Sequence, residues 1–240
     1  MTAQTDPRIH DPAGAVLDNP VWASLTGAHA EFAGVNGRAA RYPADVAPFM
    51  SVDDMHDPRA WLDFGELVGP GAGVMVAAPR GVPVPSTWEQ VFDLAGVQMV
   101  DTSLRAEPDP DAVELGAADV PEMLDLVARA QPGPFLQRTV ELGRYIGIRH
   151  EGRLIAMAGE RLHPPGWTEI SAVCTDAGHR GQGLASRLIR DVAAGIRARG
   201  ETPFLRTAAV NTGAIRLYES LGFSLRSETF FQRWLTPDAS

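Results

Sequence analysis

Between Thr168 and Ile196 a strand-like run gives way to glycines and then to a helical repeat, and few folds accommodate that succession. Thr168 to Thr175 is rich in β-branched and small apolar residues, whereas Leu184, Leu188, Ile189, Val192 and Ile196 recur at helical spacing. Gly181 and Gly183 therefore fall between a strand and a helix start. A helix start offers several unpaired N–H groups and the positive end of its dipole, and glycine removes the side chain that would hold a phosphate away. The stretch has the makings of an anion-binding turn. An ordinary glycine turn has the same local composition, so the flanking elements decide.

Upstream, residues 1–19 are polar and proline-bearing without periodicity, and are expected to fray. Residues 20–104 form an α/β region of their own. Asp57-Pro58 opens a helix through Leu67, and Gly73 to Ala78 is a short buried strand. Ser86-Thr-Trp-Glu89 has the pattern of a capping box leading into a helix with Val91, Phe92 and Leu94, followed by a strand over Gly96 to Val100. Two prolines and three acids between Arg105 and Asp111 mark a linker, 105–111.

After the linker, 112–240 reads as a second unit. A strand at Ala112 to Leu115 precedes a helix capped by Asp119 with Glu122 three residues on. Glu141–Arg149, Arg153–Arg161 and Thr168–Thr175 form a three-stranded meander, its first turn at His150-Glu-Gly152. The glycine-started helix ends near Gly200. Pro203–Thr207 is a strand, Asn211 caps a helix that stops at Gly222, and Phe223–Leu225 and Thr229–Leu235 are final strands. The order β-α-β-β-β-α-β-α-β-β implies an α+β fold on a mixed sheet flanked by helices.

Composition sets bounds on function. A net charge of −9 argues against nucleic-acid or anionic-membrane partners and weakly favours a cationic substrate by long-range steering. The N-terminus lacks a basic and apolar leader pattern, and no run of apolar residues is long enough to span a bilayer, so a cytoplasmic location is expected. The single cysteine, Cys174, excludes an intramolecular disulfide, and no His-x-x-His or Cys-x-x-Cys spacing occurs, so no metal is expected. Gly181-x-Gly183-x-x-Ser186 nearly matches a dinucleotide fingerprint. Too little chain comes after it for the remaining parallel strands of that fold, which disfavours a nicotinamide-dependent oxidoreductase.

Two motifs in order carry a more specific likeness. Arg180-x-x-Gly183-x-Ala185 resembles the Q/R-x-x-G-x-G/A motif of the GNAT superfamily of N-acetyltransferases, and Asn211-Thr-Gly-Ala-Ile-Arg-Leu-Tyr-Glu-Ser-Leu-Gly-Phe223 resembles its N-x-x-A-x-x-L-Y-x-x-x-G-F segment. The resemblance covers 112–235; tandem copies in that superfamily make 20–104 a candidate degenerate duplicate. It implies that acetyl-CoA is the cosubstrate, with its pyrophosphate on the loop amides. The implied contacts are Val173, Cys174 and Thr175 on the strand, then His179, Arg180, Gly181, Gln182, Gly183, Leu184 and Ala185, with Asn211 and Tyr218 downstream. Helix capping alone also accounts for Asn211.

Acetyl transfer to an amine needs a base, an oxyanion stabiliser and an acid for the departing thiolate. Glu169 stands at the spacing from Arg180 where one branch of the superfamily keeps a strand carboxylate as base. On an alternating strand it shares a face with Ser171 and Val173, where partial desolvation is expected to raise its pKa. A water relay or a solvated edge glutamate are the alternatives. The resemblance implies that Tyr218 is the acid, its phenol being protonated at neutral pH. A covalent route through Cys174 with His179 as base ranks below direct transfer, because a lone strand cysteine is usually a buried hydrophobe. His163 is a candidate to line the acceptor site, and Gln131-Pro-Gly-Pro-Phe135 with Arg138 to bound it. The acceptor is a small-molecule or peptide amine, and the oligomeric state is open. A non-catalytic acyl-CoA-binding module is the competing reading.

Overall fold

The computed structural model describes residues 12–239. Of the segment expected to fray, residues 1–11 lie outside the described residues, and 12–19 behave differently from expectation. Pro12–Asp18 forms a 3-10 helix with Leu17 buried. Asn19 caps helix α1 (Pro20–Leu25), and its amide donates to the Val52 carbonyl at 2.7 Å. The polar groups of this segment are met by a strand far along the chain, which local sequence pattern cannot reveal.

Three short strands, β1 (Gly34–Asn36), β2 (Ala39–Arg41) and β3 (Met50–Val52), make a small antiparallel sheet. Helix α2 (Pro58–Val68) starts as its sequence predicts, with Asp57 accepting from the Arg59 amide at 2.9 Å. The main sheet takes β4 (Gly73–Ala78) and β5 (Glu89–Asp101) from before the linker. From after it come β6 (Val113–Leu115), β7 (Tyr145–His150), β8 (Arg153–Glu160), β9 (Trp167–Thr175), β10 (Thr202–Ala208) and β11 (Phe223–Leu235). Their order across the sheet is β4-β11-β5-β10-β9-β8-β7-β6. Strands from both sides of 105–111 thus share one sheet, with β5 seated between β10 and β11. Among the named strands of this sheet only β9 and β10 pair in parallel, unlike a dinucleotide-binding sheet.

Three local expectations are corrected. Residues 89–101 form a single strand and no helix comes after Ser86–Glu89, because β10 and β11 supply partners on both edges of β5 and this pairing overrides a short local signal. The last two expected strands are one, interrupted by a register shift between Leu225 and Ser227. Helix α3 (Val120–Ala130) has no capping box of Asp119 with Glu122. Asp119 instead accepts from the Gly116 amide at 2.9 Å, and Glu122 ties the helix to the β7–β8 hairpin through the Leu154 amide at 2.6 Å.

Helix α4 (Leu184–Ala198) buries Leu184, Leu188, Ile189, Val192 and Ile196, the periodic set read from the sequence. With helix α5 (Thr212–Leu221) it covers one face of the sheet, meeting Ile146, Ile170, Leu205 and Met99. On the opposite face α3 packs over β7–β9, and the N-terminal segment packs over Val100 and Phe204. No helix among the described residues is long and apolar enough to cross a membrane.

Candidate active site

The parallel pair β9–β10 is short. Thr202, Pro203 and Phe204 pair with Trp167, Thr168 and Glu169, and from there the strands part. A cleft of about 830 Å3 opens between them, from the start of α4 to a floor containing Phe49, Met75 and Phe231. Its shape depends on a bulge: Ala172 has φ +53, and between Met157 and Gly159 of β8 the β9 partner advances from Cys174 to Ser171. The extra residue inverts the facing of the strand beyond it. Val173 packs on the α4 side with Ile170, while Ala172 and Cys174 pack on the α3 side with Met157 and Leu126. The face expected to join Glu169 to Val173 is therefore broken, since strict alternation fails at a left-handed alanine.

At the wide end, Gly181 and Gly183 both have φ +77, and Gly183 opens α4 with no side-chain cap. A Cβ at either position would meet nothing, so the backbone conformation selects glycine and the space above the first amides stays clear. The preceding turn is pinned by Asp176, which accepts from the Gly178 amide at 3.1 Å and pairs with Arg129 and Arg153 at 3.1 and 3.2 Å. Arg180 is exposed and makes no ion pair among the described residues; its Nε donates to the Thr175 carbonyl at 3.4 Å. A 15-residue helix start with open amides and a free cation suits an anion. Every residue expected at the cofactor lines this cleft except Gln182, which is exposed outside it. Asn211 does both things open to it: it lines the cleft and caps α5 through the Ala214 amide at 3.3 Å.

Tyr218 reaches the cleft from α5, its ring edge-on to Phe223 at 6.2 Å. Burial pushes its phenol up to about 12, so it keeps its proton throughout the physiological range. Cys174 is buried and its thiol is pushed up to about 12 by desolvation, against which the Met157 backbone bond works weakly. That leaves almost no thiolate at neutral pH. After incubation with acetyl-CoA, mass spectrometry is expected to find no acetyl adduct on Cys174; a stoichiometric adduct would revive the covalent route.

Glu169 departs from its expected state. It is fully buried and does not line the cleft. Arg161 clasps it with Nε at 2.9 Å and Nη2 at 3.0 Å, and Arg206 adds Nε at 2.8 Å. Burial pushes its pKa up, but the two guanidiniums outweigh burial and hold the carboxyl at about 2, the reverse of the raised value expected. Neither arginine stands out in the sequence. Arg161 comes directly after β8, its amide donating to the Glu169 carbonyl on β9 at 3.0 Å, and Arg206 lies on β10 two residues beyond the last parallel pair, so only the strand pairing brings them together. His163 does not take its expected place either: it is half-buried away from the cleft, 3.2 Å from the Thr168 hydroxyl and 5.0 Å from the His29 ring. Of the proline loop, Gln131 to Pro134 borders the cleft, whereas Phe135 packs against Tyr145 and Arg138 pairs with Glu141 at 2.7 Å. Among the described residues no group of His, Cys, Asp and Glu is placed to hold a metal.

Comparison with known proteins bears on this geometry. A family model described as FR47-like protein matches residues 145–232. A GNAT-family structure from Novosphingobium aromaticivorans DSM 12444 is 38% identical, with a TM-score of 0.83 over 93% of this chain and 99% of that one. The chain belongs to the GNAT family of acetyltransferases. The N-alpha-acetyltransferase RimI of Mycobacterium tuberculosis is 35% identical over 82 residues, which is 33% of this chain and 51% of RimI. Human N-acetyltransferase 8B is 40% identical over 67 residues, 28% of this chain and 30% of that protein. The chain thus spans about half the length of RimI and under a third of the human protein. A match over 93% of this GNAT chain cannot omit 20–104 as a whole, so most of that region has a counterpart in the Novosphingobium structure.

Proposed function

We propose that the chain is an acetyl-CoA-dependent N-acetyltransferase acting by direct attack of an amine on the thioester. The observation that carries the reading is the alignment of the β9–β10 parting with the uncapped glycine start of α4. In this reading the pyrophosphate sits on the amides from Gly181 to Ala185 with Arg180 beside it. The pantetheine arm runs along the open edge of β9 at Val173 and Thr175 as an added strand. The amine nitrogen bonds to the carbonyl carbon, the C–S bond breaks, and the departing thiolate takes the Tyr218 proton. A thiol with an ordinary pKa near 8.5 is protonated at neutral pH, so its thiolate accepts a proton readily, and a phenol that never ionises in that range is always loaded to supply one.

Glu169 is assigned a positioning role in place of the expected base. A carboxylate already holding three hydrogen bonds from two guanidiniums has little basicity left. The acceptor ammonium instead gives its proton to water as it enters the cleft, because desolvation and the nearby guanidiniums both disfavour a second positive charge. The amine proton lost after attack returns to Tyr218 through water.

Calorimetry with acetyl-CoA, together with thiol release across a panel of amines, tests the assignment; no binding at micromolar concentration would sink it. Binding without release on any amine would favour the non-catalytic module. Tyr218→Phe is expected to lower kcat about a hundredfold with little change in acetyl-CoA affinity. An unchanged kcat would take Tyr218 out of the chemistry.

A further inference from the structure

The acceptor end of the cleft carries charge opposite to what the whole chain predicts. Despite a net charge of −9, no Asp or Glu lines the cleft among the described residues, while Arg161, Arg180 and Arg206 do. Arg180 is at the glycine turn. Arg161 and Arg206 stand at the other end, and between them they have one anion, Glu169. The nearby phenols of Tyr42 and Tyr145 do not compensate, because burial pushes both above their ordinary range and they stay neutral. The buried trio therefore keeps a net charge of +1.

That surplus has a definite location. Arg161 uses Nε and Nη2 on the two oxygens of Glu169, a bidentate clasp that neutralises it locally. Arg206 spends only Nε there; its Nη2 is buried without a hydrogen-bond partner, and its side chain is 1% exposed. Leaving a buried, charged donor unmade is costly, so such a group in a ligand cleft calls for an acceptor. Around it the walls are apolar: Phe49 and Phe231 lie 5.8 and 5.9 Å from the guanidinium carbon, and Met75, Phe92 and Leu94 complete that end. A planar fork in apolar surroundings matches a carboxylate and excludes a second cation.

Resting on the acetyltransferase reading, we propose that the acceptor is an amino acid with a free carboxylate, bound by the Arg206 guanidinium, and an apolar or aromatic side chain against Phe49 and Phe231. Polyamines and aminoglycosides are excluded by the same charge. The weak preference for cationic substrates inferred from net charge is reversed inside the cleft.

The experiment reads binding apart from turnover. N-acetyl-phenylalanine and its carboxamide, which differ only in the terminal anion, are titrated calorimetrically into the wild type and Arg206→Gln. Glu169 retains Arg161 in the variant, so the remaining buried pair is neutral and the chain is expected to fold; far-UV and near-UV dichroism check this. The wild type is expected to bind the carboxylate at least thirtyfold more tightly than the carboxamide, and Arg206→Gln to reduce that ratio below threefold. Phenylalanine is likewise expected to exceed phenylethylamine in kcat/KM. Equal binding of carboxylate and carboxamide by the wild type, or a ratio that survives Arg206→Gln, overturns the proposal. Failure to bind acetyl-CoA overturns the acetyltransferase reading separately, since carboxylate recognition is measured without it.

Discussion

Gly183→Asp is expected to evict acetyl-CoA and leave the fold standing. Aspartate is among the few side chains that reach a left-handed backbone, so φ +77 at Gly183 costs about 1 kcal/mol, part of it offset by the favourable interaction of a carboxylate with the helix dipole. The melting temperature should stay within a few degrees of the wild type. The same carboxylate occupies the clear space over the first amides of α4, where the pyrophosphate is proposed to sit. A unit charge about 5 Å from another, at an effective dielectric of about 20, repels it by about 3 kcal/mol, and a pyrophosphate carries more than one charge. The expected loss of affinity is on the order of a thousandfold, read by calorimetry. Unaltered binding in a folded variant would remove the anion site from the start of α4.

Glu169→Gln carries the largest expected cost in stability. It leaves Arg161 and Arg206 buried without their anion, and breaking a buried charge pair from one side costs about 3–5 kcal/mol. For a chain of this size the midpoint of thermal unfolding should fall by about 10 °C. The pH dependence provides a second reading. The folded pKa of Glu169, about 2, lies below its ordinary 4.5, so this stabilisation is complete above about pH 4.5 and is lost as pH falls towards 2. The wild type should lose stability across that window more steeply than Glu169→Gln. Matching acid profiles, or an unshifted midpoint, would show that the trio contributes little. Removing one of the two stranded cations with Glu169→Gln/Arg206→Met, which returns the net charge to the wild-type +1, is expected to recover part of the loss, because the two positions share one network.

The legible and the hidden parts of this fold divide along a physical line. Residues 168–196 are readable because their pattern is local: a β-branched run, glycines that only a positive φ explains, and five apolar positions at helical spacing. Asn211 and Gly222 mark their helix for the same reason. The errors arise where distant pairing decides. Residues 89–101 have ambiguous periodicity and become a strand because β10 and β11 lie on either side. The bulge at Ala172 has no signature of its own, since alanine rarely takes a left-handed backbone, and without it strand alternation puts Val173 on the wrong face. Glu169 is recognisable as a residue but not as a state. Its ionisation is set by Arg161 and Arg206, whose closeness exists only once three strands are aligned.

The seating of β5 between β10 and β11 also sets a timetable for the chain's birth. About a hundred residues separate the end of β5 from the start of β10. At 5–20 residues per second, a ribosome holds β5 with both hydrogen-bonding edges open for roughly 5–20 s before either neighbour exists. Such an interval exposes a strand to pairing with other nascent chains, and its contacts are of the long-range kind that close slowly. Val91 and Phe92, still exposed in the finished fold, are part of that waiting strand.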